Sequence, residues 1–184
     1  MQFVAHTGKL LIAPTAGYTP HIGVLVATMQ RCRDTTIRLV QDLTIAQLDY
    51  LFDDQDNSIG ALLLHLAAIE AAYQEYTFTG RNILDNPERI AKWAVPMDLG
   101  VPARQEIRGN PASYYVEELT AIRTQTLDQF QQYDDEWLWR EAEWNDAIAN
   151  NYWMWYHVYE DEINHRGEMH WRLSRMPIRL QQPR

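Results

Sequence analysis

Residues 58–80 read SIGALLLHLAAIEAAYQEYTFTG, a stretch that begins with serine, ends with glycine and is rich in alanine and leucine. Serine is a preferred N-cap residue, and glycine often follows the last turn of a helix. We therefore predict a helix from about Ser58 to Thr79 that is closed by Gly80. Its small alanine side chains allow neighbouring helices to pack closely.

Three further helical patterns flank this stretch. The first follows Pro20, a residue favoured in the first helical turn, and repeats at spacings of three and four through Ile22, Leu25, Met29, Cys32, Thr36, Leu39 and Leu43. We predict another helix over about 111–132, and a last one over about 147–174 that is closed by Pro177. The pattern indicates an all-α four-helix bundle with long connections, and strands have little support.

The sequence also predicts the character of the segments that connect these helices. Residues 81–110 contain Pro87, Pro96, Pro102 and Gly109, which predicts a long connection with a short helix around residues 87–93. A tryptophan-rich connection covers residues 137–145. The turn-rich residues 1–18 are predicted to be irregular. At this length, residues 1–184 are predicted to form a single domain.

Charge and composition exclude several functions. The formal net charge is −9, from 16 basic and 25 acidic residues, and the basic residues form no cluster, which opposes nucleic-acid binding. The single cysteine, Cys32, rules out an intramolecular disulfide and fits the apolar stripe of the first helix as a small core residue. No apolar stretch approaches the ~20 residues that cross a bilayer, and the N-terminus does not resemble a secretory signal. We expect a cytoplasmic protein that binds neither nucleic acid nor membrane.

The clearest candidate site is the run HVYEDEINHRGE, residues 157–168. Residues four apart on a helix are offset by only ~40°, so His157, Asp161 and His165 form one stripe, which Glu168 extends. His65 lies in an apolar segment of another helix and is expected to point inward. Two imidazoles and a carboxylate from two helices could form a divalent-metal site.

Spacing alone leaves other interpretations open. A histidine on an apolar face is often a hydrogen-bonded core residue, and Asp161 could instead pair with Arg166 or with another arginine on the surface. His157 is a candidate fourth ligand, proton shuttle or pocket residue, or a packing residue. Glu168 is a candidate acceptor that orients a ligand imidazole, or a solvated group. Gly167 is expected to let another helix approach closely. No residue is assigned as catalytic.

The two motifs together resemble the signature of the DinB/YfiT-like superfamily of four-helix metalloproteins. There, a His or acidic residue, three further residues and then His-Arg-Gly-Gln supply two metal ligands, and a segment similar to residues 58–67 supplies the third. The resemblance covers about residues 19–175 and implies that His65, Asp161 and His165 are the ligands. Asp161 stands where most relatives have His and some, including thiol-dependent isomerases, have Glu. Glu168 replaces the common Gln.

The resemblance implies a divalent transition metal, for which this ligand set suits Zn, Ni, Fe or Mn. Three protein ligands leave a position for water or substrate. The implied function is a metal-dependent enzyme acting on a small molecule, either a hydrolase or a transferase that uses a low-molecular-weight thiol. A non-catalytic metal- or ligand-binding stress-response bundle is the alternative, and a helical scaffold whose site has decayed is a third. A homodimer is one assembly state that the sequence leaves open.

Overall fold

The computed structural model describes residues 11–144, 146–177 and 180, and most of this part of the chain is helical. The elements follow in chain order: α1 (Pro20–Val40), α2 (Ile45–Leu48), α3 (Ile59–Thr79), a 3₁₀ turn (Ile83–Asp85), α4 (Pro87–Asp98), α5 (Gly100–Glu106), α6 (Ala112–Phe130), α7 (Asp135–Leu138), β1 (Glu141–Trp144), β2 (Ala147–Asn150) and α8 (Asn151–Arg175). The four long helices are α1, α3, α6 and α8. The predicted all-α bundle is confirmed.

The ends of α3 are set by the residues that the sequence singles out. The Ser58 hydroxyl accepts a hydrogen bond from the Ala61 amide at 3.1 Å, which satisfies one of the free amides of the first turn. At the other end, Gly80 has φ 72°, and its amide donates to the Tyr76 carbonyl at 3.0 Å. A left-handed glycine of this kind ends a helix without a side-chain clash.

Two apolar clusters fill the bundle, one at each end. One cluster contains the C-terminal parts of α1 and α8 and the N-terminal parts of α3 and α6. The other contains the opposite ends of the same helices. Thus α1 and α8 run in one direction and α3 and α6 in the other, and the segment between α3 and α6 returns along the length of the bundle. In that segment, α4 packs against α3.

The connections contain more structure than the sequence predicts. The segment 81–110 holds two helices, and α4 continues beyond the predicted residues 87–93 through Pro96 to Asp98. Residues 11–18 form neither helix nor strand, as predicted for the N-terminal segment, whereas residues 1–10 lie outside the described residues. No described helix combines the length and apolar character needed to cross a membrane.

Residues 147–150 form strand β2, so the prediction that the fourth helix begins there is wrong. β1 and β2 make an antiparallel hairpin in which Trp144 lies opposite Ala147. Contacts with α3 hold this hairpin: the Trp144 ring stacks on Tyr73 with centroids 5.1 Å apart, and the Tyr76 hydroxyl donates to the Glu143 carbonyl. Helix α8 then begins at Asn151, after the Asn150 side chain caps it.

Between the two apolar clusters lies a buried ion-pair network of one charged residue from each long helix: Arg33, Glu70, Arg123 and Glu162. Arg33 contacts Glu70 at 2.9 Å and Glu162 at 3.0 Å. Arg123 contacts the same two carboxylates at 2.7 Å and 3.5 Å. The guanidinium groups also donate to backbone carbonyls of neighbouring helices. Buried charges need such partners, so this network links all four long helices at mid-bundle.

Candidate metal centre

His65 on α3 faces Asp161 and His165 on α8. Each of the three side chains offers one ligand atom, and these atoms all lie within 4.8 Å of one another. The two imidazole rings meet edge to face, with centroids 5.0 Å apart. Helix packing has therefore brought together the three residues that the sequence singled out from segments almost 100 positions apart. We call this group the candidate metal site.

His65 is oriented by the last turn of α4. Its Nδ1 lies 3.0 Å from the carbonyl oxygen of Pro96. Carbonyls in the last turn of a helix lack an intrahelical donor and so are free to accept this hydrogen bond. Because a carbonyl can only accept, Nδ1 carries the proton and Nε2 keeps its lone pair. That Nε2 lies 3.9 Å from Oδ2 of Asp161.

Asp161 has one oxygen engaged and one free. Its Oδ1 lies 3.4 Å from Nε2 of His165, whereas its Oδ2 is buried without a hydrogen-bond partner. An unpartnered buried carboxylate oxygen is costly unless a cation or a donor compensates for it. The chemistry of the three donors and this orphaned oxygen therefore fit a divalent cation.

Arg166 does not pair with Asp161, which removes one of the alternatives that spacing left open. Its guanidinium instead donates to the carbonyl and the sulfur of Cys32, at 3.0 Å and 3.3 Å, and to the Thr36 hydroxyl at 3.4 Å. Arg166 thus ties α8 to α1. Cys32 is buried, and burial raises the pKa of its thiol, so it lacks the environment of a reactive thiolate.

Glu168 lies beside the far nitrogen of His165. Its Oε1 lies 3.2 Å from Nδ1, which is an ion-pair distance, but the geometry of this contact is not that of a hydrogen bond. Its Oε2 pairs with Arg172 at 3.1 Å. Such a carboxylate can orient a ligand imidazole and favour the tautomer with Nε2 free.

The three side chains of the candidate metal site have pKa values shifted in different directions. Burial lowers the pKa of His65, so this imidazole is neutral at neutral pH. Burial opposes the charged form of His165 as well, but the carboxylates of Asp161 and Glu168 outweigh it and raise the pKa of His165. Burial likewise opposes ionisation of Asp161, yet the hydrogen bond and charge of His165 lower its pKa. The carboxylate is therefore ionised and ready to bind a cation.

The site is partly open to solvent. The side chains of His65, Asp161 and His165 are 12%, 19% and 16% exposed, so the group is largely buried but not sealed from water. A closed structural metal site surrounds the ion with four protein ligands, whereas three ligands at an accessible position leave one side for substrate.

His157 is not part of this group. Its Nδ1 pairs with Glu160 at 3.2 Å, and its ring stacks on Trp153 with centroids 5.4 Å apart and an interplanar angle of 9°. The ring edge also meets Tyr73 at 6.0 Å. His157 therefore lies next to the site, on the side of the hairpin. Its role as a pocket residue stays a prediction.

The close helix approach expected at Gly167 occurs elsewhere. A Cβ atom at Gly167 would meet nothing within 4 Å, so the expectation for this residue is wrong. At Gly60, by contrast, a Cβ would lie 2.5 Å from the Tyr115 hydroxyl oxygen. Gly60 is thus the position at which the absence of a side chain lets α3 and α6 pack closely.

The buried ion-pair network was missed at the level of sequence. A signal existed, because each of its charges stands four residues after a buried apolar residue and so falls on an apolar stripe; these preceding residues are Met29, Leu66, Leu119 and Val158. A charge on such a stripe must find a buried partner. Two arginines and two glutamates, one on each long helix, would have predicted that these charges pair with one another.

Comparison with known proteins agrees with the geometry. A family model described as mycothiol-S-transferase matches residues 24–175, a range that contains the candidate metal site as well as His157 and Glu168. The family is DinB/YfiT-like, so the resemblance found in the sequence is confirmed. No curated protein matches the chain.

Proposed function

Because the chain belongs to the mycothiol-S-transferase family, we propose that it joins the sulfur of a low-molecular-weight thiol to an electrophilic small molecule at the candidate metal site. The family's description points to mycothiol as the thiol. The observation that carries the proposal is the buried, orphaned Oδ2 of Asp161, in a carboxylate whose ligand atom lies within 4.8 Å of those of His65 and His165.

The proposed cofactor is a divalent transition metal held by His65, Asp161 and His165, with Zn, Ni, Fe and Mn all suited to these donors. When bound, such an ion would act as a Lewis acid that favours the thiolate form of a thiol at neutral pH. The charge balance supports this use. One ionised carboxylate and two neutral imidazoles leave a dication with one uncompensated positive charge, which a thiolate would neutralise.

The chain's own residues would position the reaction. Pro96 fixes the ring of His65, and Glu168, itself held by Arg172, lies against His165. The reacting thiol sulfur forms a bond to the electrophilic carbon, the bond to the leaving group breaks, and the thiol proton passes to water. Ligand side chains held in a defined orientation would help to align the sulfur with the carbon, and such alignment contributes to rate.

The non-catalytic alternative is not favoured, because the matching family is one of transferases. A cytoplasmic location, where low-molecular-weight thiols stay reduced, fits the proposal. Assembly as a homodimer stays a prediction.

The test is turnover by untagged protein loaded separately with Zn, Ni, Fe or Mn. Mycothiol, glutathione, cysteine and coenzyme A are each offered with iodoacetamide, and the thioether and released iodide are quantified. We expect metal-dependent transfer that is fastest with mycothiol, is lost with a chelator and returns when metal is restored. Metal binding without transfer to any electrophile would support the non-catalytic alternative. Equal rates with and without metal would refute the metal-dependent mechanism.

A further inference from the structure

A second concave feature lies between the hairpin and the start of α8. It has a volume of about 470 Å³ and is lined by Glu141, Trp144, Ala147, Ile148, Ala149, Asn150 and Trp153. We call it the hairpin cleft. Its size falls within the range of small-molecule sites, ~300–1,000 Å³.

The hairpin cleft offers mostly apolar surface. Ile148 is 72% exposed and Trp153 is 44% exposed, so both present apolar surface to the cleft. Of the two polar side chains, Asn150 has its oxygen engaged by the Trp153 amide at 2.8 Å. The Asn150 amide N–H groups and the Glu141 carboxylate are the polar side-chain groups that are left. This chemistry favours an uncharged, flat apolar group over an anion or a polyhydroxylated group.

The wall of the hairpin cleft is fixed by α3. Trp144 stacks on Tyr73 and meets Tyr76 edge to face, with centroids 4.8 Å apart. The Tyr76 hydroxyl binds the backbone of β1 at Glu143. A surface that is already ordered loses little conformational entropy when a ligand binds to it.

Contacting side chains of α3 and α8 connect the hairpin cleft to the candidate metal site. Trp153, His157 and Asp161 are spaced four residues apart along α8, and the first two rings stack on each other. On α3, Tyr73 contacts both Trp144 and His157, and it lies on the same face as His65. Eight residues of helix separate Trp153 from Asp161, which is a rise of ~12 Å. The cleft and the site thus lie about two helical turns apart along α8, with His157 between them.

We propose that the hairpin cleft binds an uncharged aromatic or apolar group of the second substrate, about two helical turns from the electrophilic carbon that meets the thiol at the candidate metal site. The catalytic part rests on the proposed function, whereas the binding part does not. The substrates favoured would be elongated, neutral electrophiles with a flat apolar end.

The kinetic test uses electrophiles of graded length: iodoacetamide, N-phenyl-iodoacetamide and N-(4-phenylbutyl)iodoacetamide. In each, the thiol sulfur displaces iodide from carbon. Only the longest places its ring ~10–12 Å from the reacting carbon, so we expect its KM to be the lowest. Trp153→Ala should raise that KM about tenfold, equivalent to ~1.4 kcal/mol, without changing the KM for iodoacetamide.

Trp171→Ala is the matched control, because Trp171 lies on the same helix and is 49% exposed. It should leave the KM for all three electrophiles unchanged. Ile148→Lys is a second variant that alters the cleft at an exposed residue and should reproduce the effect of Trp153→Ala. Equal KM values for long and short electrophiles in the unmodified protein, or equal losses in both tryptophan variants, would overturn the proposal.

A binding measurement separates this proposal from the proposed function. Unreactive N-(4-phenylbutyl)acetamide is titrated into the protein without thiol, and the indole N–H resonances are followed by NMR. The signals of Trp144 and Trp153 should shift, and that of Trp171 should not; this result would support the cleft even if no electrophile turned over. Absence of any shift at Trp144 and Trp153 would overturn it. So would a dimer that Ile148→Lys converts to a monomer, because a second copy of the chain would then cover the cleft.

Discussion

Asp161 and His165 lie one turn apart on α8, and their roles at the candidate metal site can be separated by single substitutions. His165 contributes Nε2, which lies 3.4 Å from the Asp161 carboxylate. His170, on the same helix, is exposed and outside the group. The two histidines therefore form a natural pair for comparison.

We predict that His165→Ala abolishes stoichiometric metal binding while the bundle stays folded, because the fold depends on helix packing and not on this ring. His170→Ala should bind metal as the unmodified protein does. Metal content after dialysis, together with the far-ultraviolet circular dichroism of both variants, checks this. Equal metal stoichiometry in His165→Ala and His170→Ala would remove His165 from the ligand set.

We predict that Asp161→His binds Zn and Ni more tightly than the unmodified protein, because a third imidazole is a softer ligand than a carboxylate and suits these metals better than Mn. Asp161→Asn should bind all of these metals more weakly, since an amide is a poor ligand. Competition with a chelator at a single pH measures each affinity. Weaker Zn and Ni binding by a well-folded Asp161→His protein would show that the carboxylate is matched to this site.

At the scale of elements, caps and glycines account for most of what could be predicted. Ser58 and Gly80 mark the ends of α3 because each satisfies backbone groups locally. Pro20 marks the start of α1 because it has no amide hydrogen to leave unpaired in the first turn. Gly60 and Gly167 differ in a way that the sequence does not reveal, because the contact at Gly60 comes from α6.

We predict opposite effects from alanine at these two glycines. Gly167→Ala should raise the free energy of unfolding by ~0.5–1 kcal/mol, because alanine is the better helix former and its Cβ meets nothing. Gly60→Ala should lower it by ~1–3 kcal/mol, because Tyr115 is fully buried and cannot move aside. Urea unfolding of both variants gives the values. A stabilised Gly60→Ala protein would mean that the α3–α6 contact is looser than described.

The hairpin could not be predicted from its own residues. Its strands have four residues each and contain one β-branched side chain, Ile148, so local preference for strand is weak. The contacts of Trp144 with α3 stabilise it instead. The candidate metal site could be predicted because Asp161 and His165 lie four residues apart on α8, a spacing that the sequence shows directly. Only His65 comes from another helix.

At the scale of the whole molecule, the buried ion-pair network links stability to pH. Although burial acts in the opposite direction, Arg123 and Arg33 lower the pKa of Glu70 from its usual 4.5 to about 2. The unfolded chain therefore binds a proton that the folded chain does not between these two pH values. Stability from this residue is fully present above about pH 4.5 and is lost as the pH falls towards 2.

We predict that the free energy of unfolding falls steeply as the pH is lowered from about 5 to 3, and that Glu70→Gln flattens part of this slope. The variant should be less stable at neutral pH, by about 3 kcal/mol or more, because it leaves two buried guanidinium groups with only one carboxylate, that of Glu162. Urea unfolding of both proteins across this range measures the difference. Glu118→Gln, which alters a surface pair with Lys92, is the control and should follow the unmodified protein. Parallel pH profiles for Glu70→Gln and the unmodified protein would contradict the prediction.

The network also limits which sequences can descend from this one. Loss of any single charge leaves a buried opposite charge behind, so a lineage that exchanges Glu70 for an apolar residue passes through a poorly stable intermediate unless an arginine changes as well. Relatives that keep this bundle are therefore expected to vary at these four positions in charge-balanced pairs, or not at all. Substitutions at positions 33, 70, 123 and 162 would then be coupled, although these positions lie on four different helices and far apart in the sequence.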